Sequence, residues 1–251
     1  MHGENEIRLD KALVSRKLVS SRARAQTLIK EGKVTVDGNV VTEPDFDIRD
    51  IHELKLLNSD IVWVSRAGLK LDHVFSRYEI DLKGKVVLDI GASAGGFTDV
   101  VLTRGAAKVY ALDVGHGQLV AKIKNDKRVV NMEGTHIKDV SKTDFKEKID
   151  MIVVDVSFIS LEKVLPKVKE LLRKNGHLIA LIKPQFEVGK DKIGKGIVTD
   201  PKLHASVAMR IESYTAELGF HIIGVLASPI LGGDGNKEFL IYAQLGPAPT
   251  V

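Results

Sequence analysis

Residues 86–99, Val86-Val87-Leu88-Asp89-Ile90-Gly91-Ala92-Ser93-Ala94-Gly95-Gly96-Phe97-Thr98-Asp99, form the stretch best suited to holding a ligand. Val86–Ile90 is an apolar run broken by one carboxylate, the pattern of a buried parallel strand. It stops at Gly91, and the small residues beyond let backbone and ligand approach closely. A helical pattern begins near Phe97, so the free N–H groups at its start face the same place. Such a strand–loop–helix forms the ligand crevice of an open α/β sheet. The spacing Gly91-x-Ser93-x-Gly95-Gly96 differs from the dinucleotide fingerprint Gly-x-Gly-x-x-Gly. Asp89, inside the strand, either holds the loop backbone or faces a positive ligand group. Asp113 ends a second strand 22 residues after Gly91 and suits a pair of ribose hydroxyls.

Two further groups fall at the same edge of such a sheet. Asp155 follows a strand expected over Ile149–Val154, and Lys183 follows one expected over residues 177–182. Helices and strands alternate between these points, as an α/β sheet requires. The pattern predicts helices over residues 117–124, 161–173 and 201–218, with Asn175-Gly176 closing the second. A third strand, 129–132, leads into Glu133-Gly134-Thr135-His136. Strands over 220–228 and 238–244 follow, the last expected to close the sheet, with Glu238 at its start. Residues 189–200 form a charged glycine loop that suits a lid or an RNA contact. Ser65 to Leu71 opens an amphipathic helix whose Leu71, Val74 and Phe75 face inward, with Lys70 beside them.

The N-terminal part is organised by charge. Residues 8–33 carry eight basic and two acidic side chains, a net of +6, and residues 34–60 carry two basic and seven acidic, a net of −5. Leu9, Ala12 and Leu13 have helical spacing. A second helix is expected behind Ser20 or Ser21 as cap, with Ala25, Leu28 and Ile29 inward and Gly32 at its end. Asp37-Gly38 between two β-rich runs signals a hairpin, and short strands are expected near Ile48 and over 53–57. Trp63, the one tryptophan, reads as an interdomain packing residue rather than a base-stacking platform.

Composition bounds the rest. The 251 residues, 44% hydrophobic, suffice for one large domain or a large and a small one. No apolar run approaches the roughly 18 residues of a membrane helix. The charged start from Glu4 to Lys11 reads as lacking a secretory leader. Without cysteine there is no disulfide, thiolate nucleophile or zinc–thiolate site, and no metal is expected. These features fit a cytoplasmic protein with no membrane and no evident obligate protein partner.

Three groups of motifs carry a resemblance. The stretch around Asp89-x-Gly91 and Gly95-Gly96-Phe97 resembles the S-adenosylmethionine site of class I methyltransferases, favoured over an NAD-type site or an unliganded fold. Arg8-Leu9-Asp10-Lys11-x-Leu13, Ser21-Arg22-x-x-Ala25 and Gly32-x-Val34-x-Val36-Asp37-Gly38 resemble the S-four-type RNA-binding domain of ribosomal proteins. Ser65-Arg66-x-Gly68-x-Lys70-Leu71, Asp155-Val156-Ser157-Phe158-Ile159-Ser160-Leu161 and Lys183-Pro184-Gln185-Phe186-Glu187 resemble the TlyA family, whose members are called both hemolysins and ribosomal RNA methyltransferases. Two departures are visible: Ala67 stands where glycine is common, and Glu133-Gly134-Thr135-His136 where Glu-Arg-Thr-Asn is common.

The resemblance implies a class I (Rossmann-like) α/β fold with a seven-stranded sheet and a small N-terminal α+β RNA-binding domain. The implied boundaries are 1–58 for the RNA-binding domain, 59–66 for a linker and 67–251 for an FtsJ-like methyltransferase domain. Asp89, Gly91, Ser93, Gly95, Gly96, Phe97, Asp113 and Glu133 would hold S-adenosylmethionine. Arg8, Lys11, Arg16, Lys17, Arg22 and Arg24 would meet RNA phosphates. Lys70, Asp155, Lys183 and Glu238 would form the catalytic tetrad of a ribose 2'-O-methyltransferase acting on ribosomal RNA or subunits, with cytidine as target. Lys183 would be the base, and because carboxylates favour a charged lysine the four groups are expected to titrate together. The competing readings are a non-catalytic RNA- or ribosome-binding protein, a hemolysin-type virulence factor and, more distantly, a dehydrogenase.

Overall fold

The computed structural model describes residues 6–16, 18–19, 22–49, 52–56, 63–189 and 196–247. Ser20, Ser21, Lys17, the side chain of Arg24, the first residues of the expected linker and half of the charged glycine loop lie outside the described residues. The chain forms two units, Met1–Val62 and Trp63–Val251.

In the small unit, β1 (Ile7–Arg8) leads into α1 (Leu9–Ser15), followed by α2 (Arg22–Lys30). Leu9, Ala12 and Leu13 of α1 and Ala25, Leu28 and Ile29 of α2 are buried together, as their helical spacing requires. The strands β2 (Val34–Val36), β3 (Asn39–Val40), β4 (Asp47–Ile48) and β5 (Leu54–Leu56) complete the unit. The β2–β3 turn places Asp37 at φ 49° and Gly38 at φ 84°, the left-handed pair that a two-residue hairpin demands. β1 pairs with β4, and β5 adds to the other edge of β2.

The large unit starts with α3 (Ala67–Arg77) and β6 (Val86–Ile90), then α4 (Gly96–Thr103), β7 (Lys108–Asp113), α5 (Ala121–Lys124) and β8 (Val129–Glu133). It continues with β9 (Ile149–Val154), α6 (Leu161–Leu171), β10 (Leu172–Ile182), α7 (Pro184–Glu187), α8 (Pro201–Glu217), β11 (Phe220–Ala227) and β12 (Phe239–Leu245). Seven strands form one sheet in the order β11-β12-β10-β9-β6-β7-β8. All pairs are parallel except those of β12, which runs antiparallel to β10 and β11. Alternate residues serve opposite faces. Leu88, Ile90, Ile152 and Val154 pack against α6 and α8, while Val87, Val109, Met151 and Val153 pack against α3 and α4. Among the described residues no helix is long and apolar enough to cross a membrane.

Four details depart from the sequence pattern. The last strand lies between β10 and β11 and leaves β11 at the edge, so it does not close the sheet. The expected helix 117–124 shrinks to α5, because Gly117 is left-handed at φ 66° and Glu133 takes the N–H groups of Gln118 and Leu119. Helix α6 ends at Leu171 rather than at residue 173, because Leu172 is buried and pairs with Ile149, and the register shifts before His177. Residues 63–66, the end of the expected linker, pack on the large unit: the Val64 N–H donates to Asp99 at 2.9 Å, and the Trp63 side chain covers Gly68. Pro166 sits inside α6, and the Glu162 carbonyl that it leaves without an N–H accepts from the Tyr214 hydroxyl at 3.2 Å.

Candidate active site

The parallel strands end, and β12 begins, along one edge of the sheet, and the polar residues gather there. At the end of β6, Gly91 has φ 84°, and a Cβ on it would lie 2.3 Å from the Asp155 carbonyl oxygen. Only glycine lets these two loops meet. Ser93 is left-handed at φ 47° and Gly95 at φ 94°, where it caps α4. The turn leaves a cavity of about 210 Å³ bordered by Gly91, Ala92, Ser93, Ala94 and Phe97 on one side and by Ser65, Ala67, Asp155, Ser157 and Lys183 on the other. A larger hollow of about 380 Å³ lies at the amino ends of β9 and β10, among Lys146, Lys148, Arg173 and Lys174. None of the expected catalytic or cofactor residues borders it.

Asp89 is fully buried, and its Oδ2 accepts from the Thr98 hydroxyl at 2.6 Å, tying β6 to the first turn of α4. Burial pushes its pKa up to about 7, against the Thr98 hydrogen bond and with a further push from the Asp155 charge. Asp113 accepts from the Ser93 N–H at 2.8 Å and from the Gly115 N–H at 2.7 Å, holding the loops after β6 and β7 in register. Glu133 accepts from Gln118 N–H at 2.6 Å and from Leu119 N–H at 3.0 Å through one oxygen, and from the Asn131 amide at 2.9 Å through the other. The Asn131 bond and those backbone donors hold its pKa down at about 2. The His116 ring occupies the place a side chain on Gly134 would take.

The four expected catalytic residues form two ion pairs. Lys183 Nζ lies 2.6 Å from Asp155 Oδ1 and donates to Ser157 Oγ at 2.9 Å. Lys70 Nζ lies 2.5 Å from Glu238 Oε2, with both side chains buried. Helical periodicity alone puts Lys70 only beside the apolar stripe of α3. The fold buries it because α3 packs its Lys70–Leu71 face on the sheet beside β12. The register that pairs Ile182 with Phe239 sets Lys183 and Glu238 at neighbouring positions on the same edge.

Four contributors have no role in the sequence reading. Thr98 holds Asp89. Ser157 holds Lys183, and only its place in the Asp155-Val156-Ser157 run pointed to it. Glu187 accepts from Ser160 Oγ at 2.7 Å and from Leu161 N–H at 2.8 Å, so it binds the loop after β10 to the loop after β9. Phe158 is 91% exposed at φ 64°, with its ring 5.0 Å from that of Phe186. It is an exposed aromatic face of the kind that stacks on unpaired bases.

Residues 63–245 match the FtsJ-like methyltransferase family, and residues 7–50 match the S4 domain. The chain belongs to the FtsJ-like methyltransferase family. It is 41% identical to the 16S/23S rRNA (cytidine-2'-O)-methyltransferase TlyA of Mycobacterium tuberculosis, over 94% of this chain and 89% of that one. It is 42% identical to Hemolysin A of Brachyspira hyodysenteriae, over 94% of this chain and 99% of that one. A solved structure described as a hemolysin from Streptococcus thermophilus superposes with a TM-score of 0.75 at 38% identity, covering 98% of this chain and 91% of that one.

S-adenosylmethionine is the cofactor of this FtsJ-like chain, and the crevice fits it. Gly91, Gly95 and Gly96 let the loop after β6 pack closely on its neighbours, and only small side chains stand between them. A Cβ on Gly96 would lie 2.1 Å from the Ser65 hydroxyl oxygen. Asp113 stands at the tip of β7 with carboxylate lone pairs to spare for ribose hydroxyls.

The residues expected to meet RNA all belong to the small unit. Asp10 accepts from both Arg8 and Arg22. Arg16 donates to the backbone carbonyls of His52 at 2.6 Å and Arg49 at 3.0 Å, bracing its own unit. Lys11 is exposed on α1.

Proposed function

We propose that this FtsJ-like enzyme transfers a methyl group from S-adenosylmethionine to a ribose 2'-hydroxyl of ribosomal RNA, with cytidine as the target nucleoside. The observation that carries this reading is the Lys183–Asp155 pair on the wall of the cofactor crevice, beside the buried Lys70–Glu238 pair. A 2'-hydroxyl is a poor nucleophile near neutral pH and needs a base at the moment of transfer.

The bound cofactor supplies an electrophilic methyl on a positively charged sulfur. Lys183, as its neutral amine, would take the 2'-hydroxyl proton during transfer and become the ammonium that Asp155 pairs. Asp155 and Ser157 fix Nζ from two sides, which orients its remaining position toward the incoming oxygen. Lys70 and Glu238 set the polar environment on the β12 side. Gly91 and its neighbours would hold the cofactor, Asp113 and Glu133 would accept from its nucleoside, and the buried Phe97 and Ala92 would limit water in the crevice.

The small unit delivers the RNA. Its +6 segment over residues 8–33 is the footprint of phosphate binding. Ribosomal RNA as substrate places the protein in the cytoplasm. The test is single-turnover methylation of ribosomal RNA or subunits from a strain lacking this protein, with tritium-labelled cofactor. Lys183→Ala is expected to lose about 10²–10⁴ in rate, the usual share of a positioned base, with cofactor and RNA affinity unchanged. Parental rates in Lys183→Ala would remove the mechanism, and absence of label from every ribosomal RNA would remove the substrate.

A further inference from the structure

The small unit contains a buried carboxylate that methyl transfer does not use. Asp10, in the first turn of α1, is 0% exposed. It accepts from Arg8 Nε at 3.3 Å and Arg8 NH2 at 3.2 Å, from Arg22 Nε at 3.0 Å and from Gln26 Nε2 at 2.8 Å. Arg8 ends β1, and Arg22 and Gln26 lie in the first turns of α2, so one carboxylate joins three elements. Burial by itself raises the pKa of such an acid, but the hydrogen bonds from Arg8, Gln26 and Arg22 outweigh it and hold Asp10 below the usual carboxylate range.

The two arginines are not buried with it. Their side chains are 39% and 50% exposed. Arg22 spends Nε on Asp10, which leaves the terminal nitrogens of its planar fork for a ligand. We infer that Asp10 is a positioning residue that fixes Arg8 and Arg22 as one phosphate-binding site for the RNA backbone. The inference rests on the RNA-binding reading of this unit. A free arginine loses rotamer entropy when it grips a phosphate, and a fork already held by a carboxylate has given up most of that freedom on folding. The bidentate geometry then matches two phosphate oxygens. Lys11 on the same unit is an exposed point charge, and Arg16 is committed to backbone carbonyls.

A positioned fork and a diffuse positive field make opposite predictions. In a diffuse field, removing the negative charge of Asp10 strengthens RNA binding, and lysine replaces arginine freely. For the positioned pair both changes weaken it. The test measures binding of the full chain to a labelled ribosomal RNA transcript by fluorescence anisotropy across a salt series, using Asp10→Asn, Arg8→Lys, Arg22→Lys, Arg8→Ala and Arg22→Ala. Each lysine variant is expected to lose about tenfold in affinity, close to its alanine counterpart, although charge is unchanged. Asp10→Asn is expected to lose a similar factor, and the salt slope to fall by about 0.7–0.9 for each phosphate no longer neutralised. Lysine variants at parental affinity beside weakened alanine variants would overturn the positioning role and leave RNA binding standing. Alanine variants at parental affinity would overturn RNA binding by this pair. If Asp10→Asn does not fold, the two lysine variants decide the question alone.

Discussion

The Lys70–Glu238 pair sets up a stability test that is separate from chemistry. Its atoms are 2.5 Å apart, and the two side chains are 9% and 2% exposed. Glu238 also packs on Gly232, where a Cβ would lie 2.5 Å from its Oε1, so little space exists for water to replace a missing partner. Lys70→Met keeps length and apolar packing but leaves a buried carboxylate without its cation, which costs about 3–5 kcal/mol. For a unit of this size that corresponds to a melting temperature lower by roughly 6–20 °C. Lys70→Met combined with Glu238→Leu removes both charges, and its expected stability lies near the parent or above it. Because the chain has two units, a single global transition is not the right readout. Trp63, the one tryptophan, packs in the large unit on Gly68, so its fluorescence during urea unfolding reports that unit. A single variant within about 1 kcal/mol of the parent, or a double variant as costly as the two singles added, would refute the argument from an uncompensated buried charge. The double variant is expected to be stable and inactive.

Two further outcomes follow from carboxylates that hold the elements around the crevice. Asp89 has a folded pKa of about 7 against an ordinary 3.8, so the folded state holds its proton longer than the unfolded chain. Its contribution is present below the unfolded pKa and is lost as pH rises toward 7, at up to about 1.4 kcal/mol per pH unit. Asp89→Asn is expected to flatten that part of the pH–stability curve measured by urea unfolding, and an unchanged slope would count against a neutral Asp89. Asp113→Ala removes the acceptor for Ser93 and Gly115 and the candidate ribose acceptor together, and calorimetry is expected to show cofactor binding weaker by about 1–3 kcal/mol. A folded variant with parental affinity would free Asp113 from that role.

The sequence by itself carried the strand–glycine–helix crevice, because backbone conformation is a local matter. Gly91, Gly95 and Gly38 all take the positive φ that their spacing required, and the apolar alternation of Val87 and Leu88 divides the two cores as a period of two demands. It also located Asp113, Asp155 and Lys183, since a residue just past a parallel strand falls on the ligand edge of the sheet. Where local propensity competed with distant partners, the sequence misled. Residues 117–120 look helical, but Glu133 of a neighbouring strand takes the N–H groups of Gln118 and Leu119. Residues 172–173 look like a helix end, but Leu172 pairs with Ile149.

Only tertiary structure decided how the charged residues are matched. Lys70 and Glu238 lie 168 positions apart, and no local pattern joins them. The insertion of β12 between β10 and β11 sets Glu238 beside the end of β10, and the packing of α3 removes Lys70 from water. The same holds for Asp10. A sequence gives its charge, but not that it is buried under two arginines which a charge count scores simply as positive. Spacing along a chain fixes which backbone shapes are accessible, whereas ion pairing and burial depend on neighbours that only the folded chain supplies.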